Sequence, residues 1–145
     1  MDIKAFGGVL ILALMALFIG VSLVQGETTD TESGIAITAV NFVAPSPEKE
    51  NLNEEWIEII NNETVDENLA GWTLQDQQNH TYTFPDFNLK AGATVKIHTG
   101  EGSNTEEDLF WNKSSSIWNN GGDLATLMDP SGTAVSSYPK EGDEA

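Results

Sequence analysis

From Ile35 onward, short runs of β-branched and aromatic residues alternate with clusters of Gly, Pro, Asn and Asp. No stretch sustains the 3.6-residue apolar repeat that a helix needs to bury one face, so a helical body is excluded. The runs predict strands over residues 35–42, 56–61, 72–75, 81–84, 94–99, 124–128 and 134–137. Short strands punctuated in this way indicate an all-β, antiparallel β-sandwich of about seven to nine strands, or a barrel.

The period-two patterns show which faces are buried. In Thr94-Val95-Lys96-Ile97-His98, Val95 and Ile97 fall on one side and the polar residues on the other. In Trp56-Ile57-Glu58-Ile59-Ile60, Ile57 and Ile59 share one face while Trp56, Glu58 and Ile60 share the other. Apolar groups on both faces predict a central strand. Residues 76–79 read as a four-residue hairpin loop, and Asp129-Pro130-Ser131-Gly132 as a turn with proline at its second position and glycine at its fourth. The long irregular loops are 44–53 and 100–107.

The first 26 residues follow a different logic. Lys4 precedes an uncharged run over 6–24, and Val24-Gln25-Gly26 offers small residues suited to signal peptidase. This reads as a cleaved signal peptide. The alternative is a retained anchor, because the run is long enough as a helix to approach the thickness of a hydrocarbon core. Either way, the expectation is an exported chain: secreted, at the cell surface or in the envelope, touching membrane only through an uncleaved leader. Residues 27–34 are a polar, acidic spacer, 35–138 the folded domain, and 139–145 an acidic tail.

The full sequence of 145 residues carries 23 acidic residues, six lysines, no arginine and a net charge of −17. Loss of the leader would remove one acid and one lysine and leave that balance unchanged. Such a charge opposes nucleic-acid binding through the phosphate backbone. The absence of cysteine removes disulfides, thiol nucleophiles and thiolate metal sites, so the domain must be held by its core alone, by a bound ion, or by both.

Several motifs, taken in order, resemble one family. They are Glu55-Trp56-Ile57-Glu58-Ile59 followed by Asn61-Asn62, then Leu69-Ala70-Gly71-Trp72-Thr73-Leu74, then Tyr82-Thr83-Phe84-Pro85, then Leu89 with Ala91-Gly92. The last is Asn119-Asn120-Gly121-Gly122-Asp123, leading into Thr126-Leu127. The series is similar to the lamin-tail domain, the immunoglobulin-like module of nuclear lamins and of many bacterial and archaeal exported proteins. The resemblance implies an immunoglobulin-like sandwich with no catalytic residues. Its expected core framework is Trp56, Ile57, Ile59, Gly71, Trp72, Leu74, Val95, Ile97 and Leu127, with Gly71 bending the chain before Trp72. The DNA binding of some lamin tails is not expected at this charge.

Little in the sequence points to chemistry. Glu55 and Glu58 flank Trp56, and framework carboxylates are expected there in preference to an acid–base pair. His80 and His98 lack metal-ligand spacing. The clusters Glu48/Glu50, Glu54/Glu55, Asp66/Glu67 and Glu106/Glu107/Asp108 supply oxygens of the kind calcium prefers, without the spaced pattern of a calcium loop; a solvated surface and no cofactor are expected. Asn62-Glu63-Thr64, Asn79-His80-Thr81 and Asn112-Lys113-Ser114 are N-glycosylation sequons in expected turns and loops. Trp111 and Trp118 flank a polar loop and are candidate ligand-contact aromatics. The expected function is a non-enzymatic module binding an envelope or extracellular protein through loops and strand edges. The alternative is a carbohydrate- or calcium-binding accessory module built on the Trp111–Trp118 loop.

Overall fold

The computed structural model describes residues 34–140 and 142. Ten strands follow in chain order: β1 (Ile35–Asn41), β2 (Trp56–Asn61), β3 (Glu67–Asn68), β4 (Thr73–Gln75), β5 (Thr81–Thr83), β6 (Asn88–Leu89), β7 (Thr94–His98), β8 (Asp108–Phe110), β9 (Ala125–Met128) and β10 (Ala134–Tyr138). The leader, the spacer up to residue 33 and the end of the acidic tail lie outside the described residues. The seven strands read from the sequence are all present. The additional β3, β6 and β8 have only two or three residues each, too few to display a period. The loop expected over 44–53 contains 3-10 turns at Glu48–Glu50 and Leu52–Glu54.

Two four-stranded sheets carry the domain, in the orders β1-β2-β7-β8 and β10-β9-β4-β5, with β3 and β6 forming a small extra ladder. The pairings are antiparallel except for β7 with β8. That parallel pair corrects the expectation of a wholly antiparallel sandwich. The loop after β7 doubles back along the sheet edge, so β8 sets off in the same direction as β7. This register places Leu109 beside Ile97, and both are buried in the core.

Alternation then fills the interior. Ile57 and Ile59 from β2, Val95 and Ile97 from β7, Leu74 from β4 and Leu127 from β9 are all essentially inaccessible to water. Trp72, Leu69, Tyr82 and Phe84 join the same apolar cluster. At about 1.5–3 kcal/mol per large apolar side chain, this burial is the main stabilising term in a domain without disulfides. β2 lies between β1 and β7, as its two apolar faces required. One framework expectation needs correction. Trp56 lies on the outer face of its sheet, half buried, with the Lys96 ammonium 4.2 Å from its ring centroid. Gly71 bends the chain before Trp72 as expected: it is exposed, with a φ of +80° in the turn, a conformation that disfavours a side chain.

The sheet edges are treated unequally. β1 and β10 face each other, and the Ile37 N–H donates to Ser136 Oγ between the sheets at 3.0 Å. At the edge strand β8, Asp108 N–H donates to Thr105 Oγ1 and Phe110 N–H to Asn104 Oδ1, so side chains from its own loop cap the edge. Among the described residues, β5 has no such cover. The ladder bonds from Asp76 N–H to the His80 carbonyl and from Phe84 N–H to the Trp72 carbonyl set the alternation of the β4–β5 hairpin. By that alternation, the backbone groups of Thr81 and Thr83 point away from β4.

Candidate functional site

The register gathers most long loops at one pole. Asn41, Trp56, His98 and Phe110 align across the first sheet, whereas Ile35 and Asn61 align at its other end. Loops 42–55, 99–104 and 111–123 therefore leave from the same pole, opposite the end where the chain enters at Gly34.

Buried carboxylates brace this pole. Glu55 is completely buried, and it accepts hydrogen bonds from Thr99 Oγ1 at 2.8 Å, Ile117 N–H at 2.9 Å, Trp118 N–H at 3.1 Å and the Ser116 hydroxyl. A carboxylate brought into the interior requires that many donors to offset its lost hydration. Asp123 accepts from Gln77 N–H at 3.1 Å and Asn119 N–H at 2.9 Å, tying the β4–β5 hairpin to the 119–122 turn. Asp76 closes the hairpin itself by accepting from Gln78 N–H and His80 N–H, with the His80 imidazole 2.7 Å away. At the same pole, Asn120 donates to the Glu48 carboxylate, and Asn53 Nδ2 donates to the Glu101 carbonyl at 2.9 Å.

His98 ties β7 to the 42–55 loop and to the edge strand β8. One ring nitrogen lies 2.7 Å from the Asn53 carbonyl and the other 2.7 Å from Asp108 Oδ1, and the ring stacks on Phe110. Gly102 lies against that phenyl ring, where a Cβ would come within 2.5 Å of its edge, so only glycine fits there.

The candidate residues from the sequence separate on this frame. Trp118 is 3% exposed, stacked on Phe42 and edge-on to Trp111. Its ring therefore closes the end of the core and offers no free stacking face, which corrects its assignment as a ligand contact. Trp111 is half buried, edge-on to Tyr82, with the Lys113 ammonium over its ring. Glu55 and Glu58 do not converge: Glu55 is consumed in the interior, while Glu58 lies on the outer face and accepts from the Thr38 hydroxyl. Neither histidine hydrogen-bonds a hydroxyl, so no nucleophile–base pair forms among the described residues. Among them, too, no three His, Asp or Glu side chains are grouped to hold a metal ion. Asn62, Asn79 and Asn112 are all exposed, the first at the chain-entering pole and the others at the loop pole.

What this pole offers is a rigid, mostly polar surface without a deep cavity. The braces are not legible in the sequence, because the donors to Glu55, and Gln77 on Asp123, lie more than forty positions away.

The lamin tail domain family model matches residues 28–141. The chain belongs to the lamin tail domain family. The match spans the whole described sandwich, and with it the ordered motifs from Glu55 to Leu127. No curated protein matches the chain. In lamin-tail terms, the two four-stranded sheets are the immunoglobulin-like body, and the braced loops cover one of its poles. An immunoglobulin-like domain of this family accords with a non-enzymatic interaction module.

Proposed function

We propose that this lamin-tail domain works as an exported, non-enzymatic interaction module at the cell surface or in the envelope. It would bind a protein partner through the loop pole and the free β5 edge beside it. The observation that carries this reading is the asymmetry of the edges: β8 is capped by Thr105 and Asn104, whereas the backbone groups of Thr81 and Thr83 are left uncapped. An uncapped edge joined to a hairpin held by Asp76 and Asp123 accepts an added strand at little ordering cost. No nucleic-acid partner and no resident cofactor are part of this reading. Contact with membrane would come only through a retained leader. The carbohydrate alternative built on the Trp111–Trp118 loop loses one of its two rings, because Trp118 is buried in the core.

The test is capture from native envelope extract with the full chain and with a Thr81→Lys/Thr83→Lys variant, alongside N-terminal sequencing of the exported form. Both threonines are exposed, so the fold should be preserved by circular dichroism. A partner retained by the native chain and lost with the variant supports the proposal. Equal capture by both sinks the edge as the binding element, and recovery of the chain only from the cytoplasm sinks export.

A further inference from the structure

Three sequons are exposed, but the fold treats them differently. In Asn112-Lys113-Ser114 the Asn112 carboxamide is a strut: its Oδ1 accepts from Gly102 N–H at 3.2 Å, and its Nδ2 donates to the Phe110 carbonyl at 3.3 Å. The residue also adopts a φ of +58°. In Asn79-His80-Thr81 the hydroxyl is engaged: Thr81 Oγ1 donates to the Asn79 carbonyl at 3.2 Å and accepts from Gln75 Nε2 at 3.0 Å. The middle residue of that sequon is tied twice to Asp76, and Asn79 has a φ of +67°. Asn62-Glu63-Thr64 differs in its two reacting groups, although Glu63 is also tied twice, its N–H to Asn61 Oδ1 at 2.9 Å and its carboxylate accepting from Gly34 N–H at 3.2 Å. All three residues are exposed, they lie outside any strand, and neither the Asn62 carboxamide nor the Thr64 hydroxyl has a hydrogen-bond partner among the described residues.

A glycosyl-transfer enzyme must grip the sequon hydroxyl and free the acceptor amide, so a sequon whose groups already serve the fold is a poor substrate once folding is complete. We infer that Asn62 is the N-glycan acceptor of the folded domain, and that Asn79 and Asn112 are framework residues. In the reaction, Asn62 Nδ2 attacks the anomeric carbon of a lipid-linked diphosphate saccharide. The N–C bond forms as the C–O bond to the diphosphate breaks, the lipid diphosphate leaves with the electron pair, and one amide proton passes to base. Asn62 occupies the pole where the chain enters, its N–H bonded to the Gly34 carbonyl. A glycan there leaves the loop pole and the β5 edge clear. It would also shield the neighbouring Val65, the most exposed of the large hydrophobic residues at 63%.

The inference rests on the exported reading above, so its test has two arms. In the first, the purified, folded full chain is incubated with a purified oligosaccharyltransferase and a lipid-linked oligosaccharide, and the products are mapped by glycopeptide mass spectrometry. Modification at Asn62, lost in Asn62→Gln and Thr64→Ala but retained in Asn79→Gln and Asn112→Gln, is the expected result. Modification of Asn79 or Asn112 at an equal or higher level overturns the assignment, as does an unmodified folded chain when a peptide spanning residues 58–68 is modified. In the second arm the chain is recovered from its native host after fractionation. Exported protein with Asn62 glycosylated supports the inference. Exported protein without a glycan overturns the modification and leaves export standing, whereas recovery only from the cytoplasm overturns both.

Discussion

Trp118 donates its backbone N–H to the Glu55 carboxylate at 3.1 Å, joining residues 63 positions apart in the chain. Ile117 donates to the same oxygen, and so does the Thr99 hydroxyl, so a single buried oxygen fixes the loop that seals the core beneath Trp118. The other oxygen takes only the Ser116 hydroxyl. This uneven division makes the two obvious replacements of Glu55 behave differently.

Glu55→Ala leaves two buried N–H groups and two hydroxyls without their acceptor, and should cost about 3–5 kcal/mol in urea unfolding. Glu55→Gln can keep its carbonyl on the three-donor side and turn its NH₂ toward Ser116, whose hydroxyl can rotate to accept. That variant should lose only about 1–2 kcal/mol. Equal losses for the two would show that charge, not acceptor geometry, holds the loop.

The faces of β2 give a second contrast. Ile57 has no exposed surface, and Ile57→Ala should cost about 2–5 kcal/mol through lost transfer energy and the cavity left behind. Trp56 has a much larger side chain but covers only the outer face under Lys96, so Trp56→Ala should cost about 1–2 kcal/mol. Denaturant midpoints in the reverse order would mean that the two faces of β2 have been exchanged.

Much of this was legible in advance, for identifiable reasons. Strict alternation in β7 assigned Val95 and Ile97 to the interior, the family resemblance assigned Ile57 and Ile59, and the 129–132 turn forms as its residues dictate, with Gly132 N–H bonded to the Asp129 carbonyl. Trp56 was ambiguous because its strand has apolar residues on both faces, and only the position of Lys96 reveals which face is wet. β8 was invisible because its three residues, unlike those of β4 and β5, fall in none of the family motifs, and its parallel direction depends on the path of the loop before it. The site was the least legible part. Glu55 became a brace only through donors more than forty positions away, and Trp111 and Trp118 looked alike until Phe42 stacked on one of them.

A net charge of −17 on a chain of 145 residues sets up self-repulsion that its six lysines cannot neutralise. The Lys90–Glu106 ion pair, at 3.5 Å, joins two exposed side chains and contributes little. Salt shortens the Debye length from about 30 Å at about 0.01 M to about 8 Å at physiological strength, which weakens that repulsion more in the folded state than in the expanded chain. Thermal melts at neutral pH should therefore shift upward by about 5–10 °C between low salt and about 0.5 M sodium chloride. A flat or falling Tm would show that the acidic surface does not strain the fold.

Tyr82 governs the alkaline limit. Burial among Phe84, Trp111 and the core pushes its phenol from the ordinary value of 10.0 up to about 12, because the phenolate would lose its hydration there. Below pH 10 the hydroxyl is protonated in both states, and the group does not affect the pH slope. Between pH 10 and about 12 the unfolded chain releases this proton while the folded domain holds it, so the folded state loses about 1.4 kcal/mol per pH unit. The full loss is on the order of 2–3 kcal/mol and is complete above about pH 12. Tyr82→Phe keeps the ring packing and removes the titration. Its stability, measured by urea unfolding at intervals from pH 8 to 12, should fall less steeply than that of the native chain above pH 10 and in parallel with it below. Parallel curves throughout would place the Tyr82 hydroxyl in water and remove the alkaline contribution assigned to it.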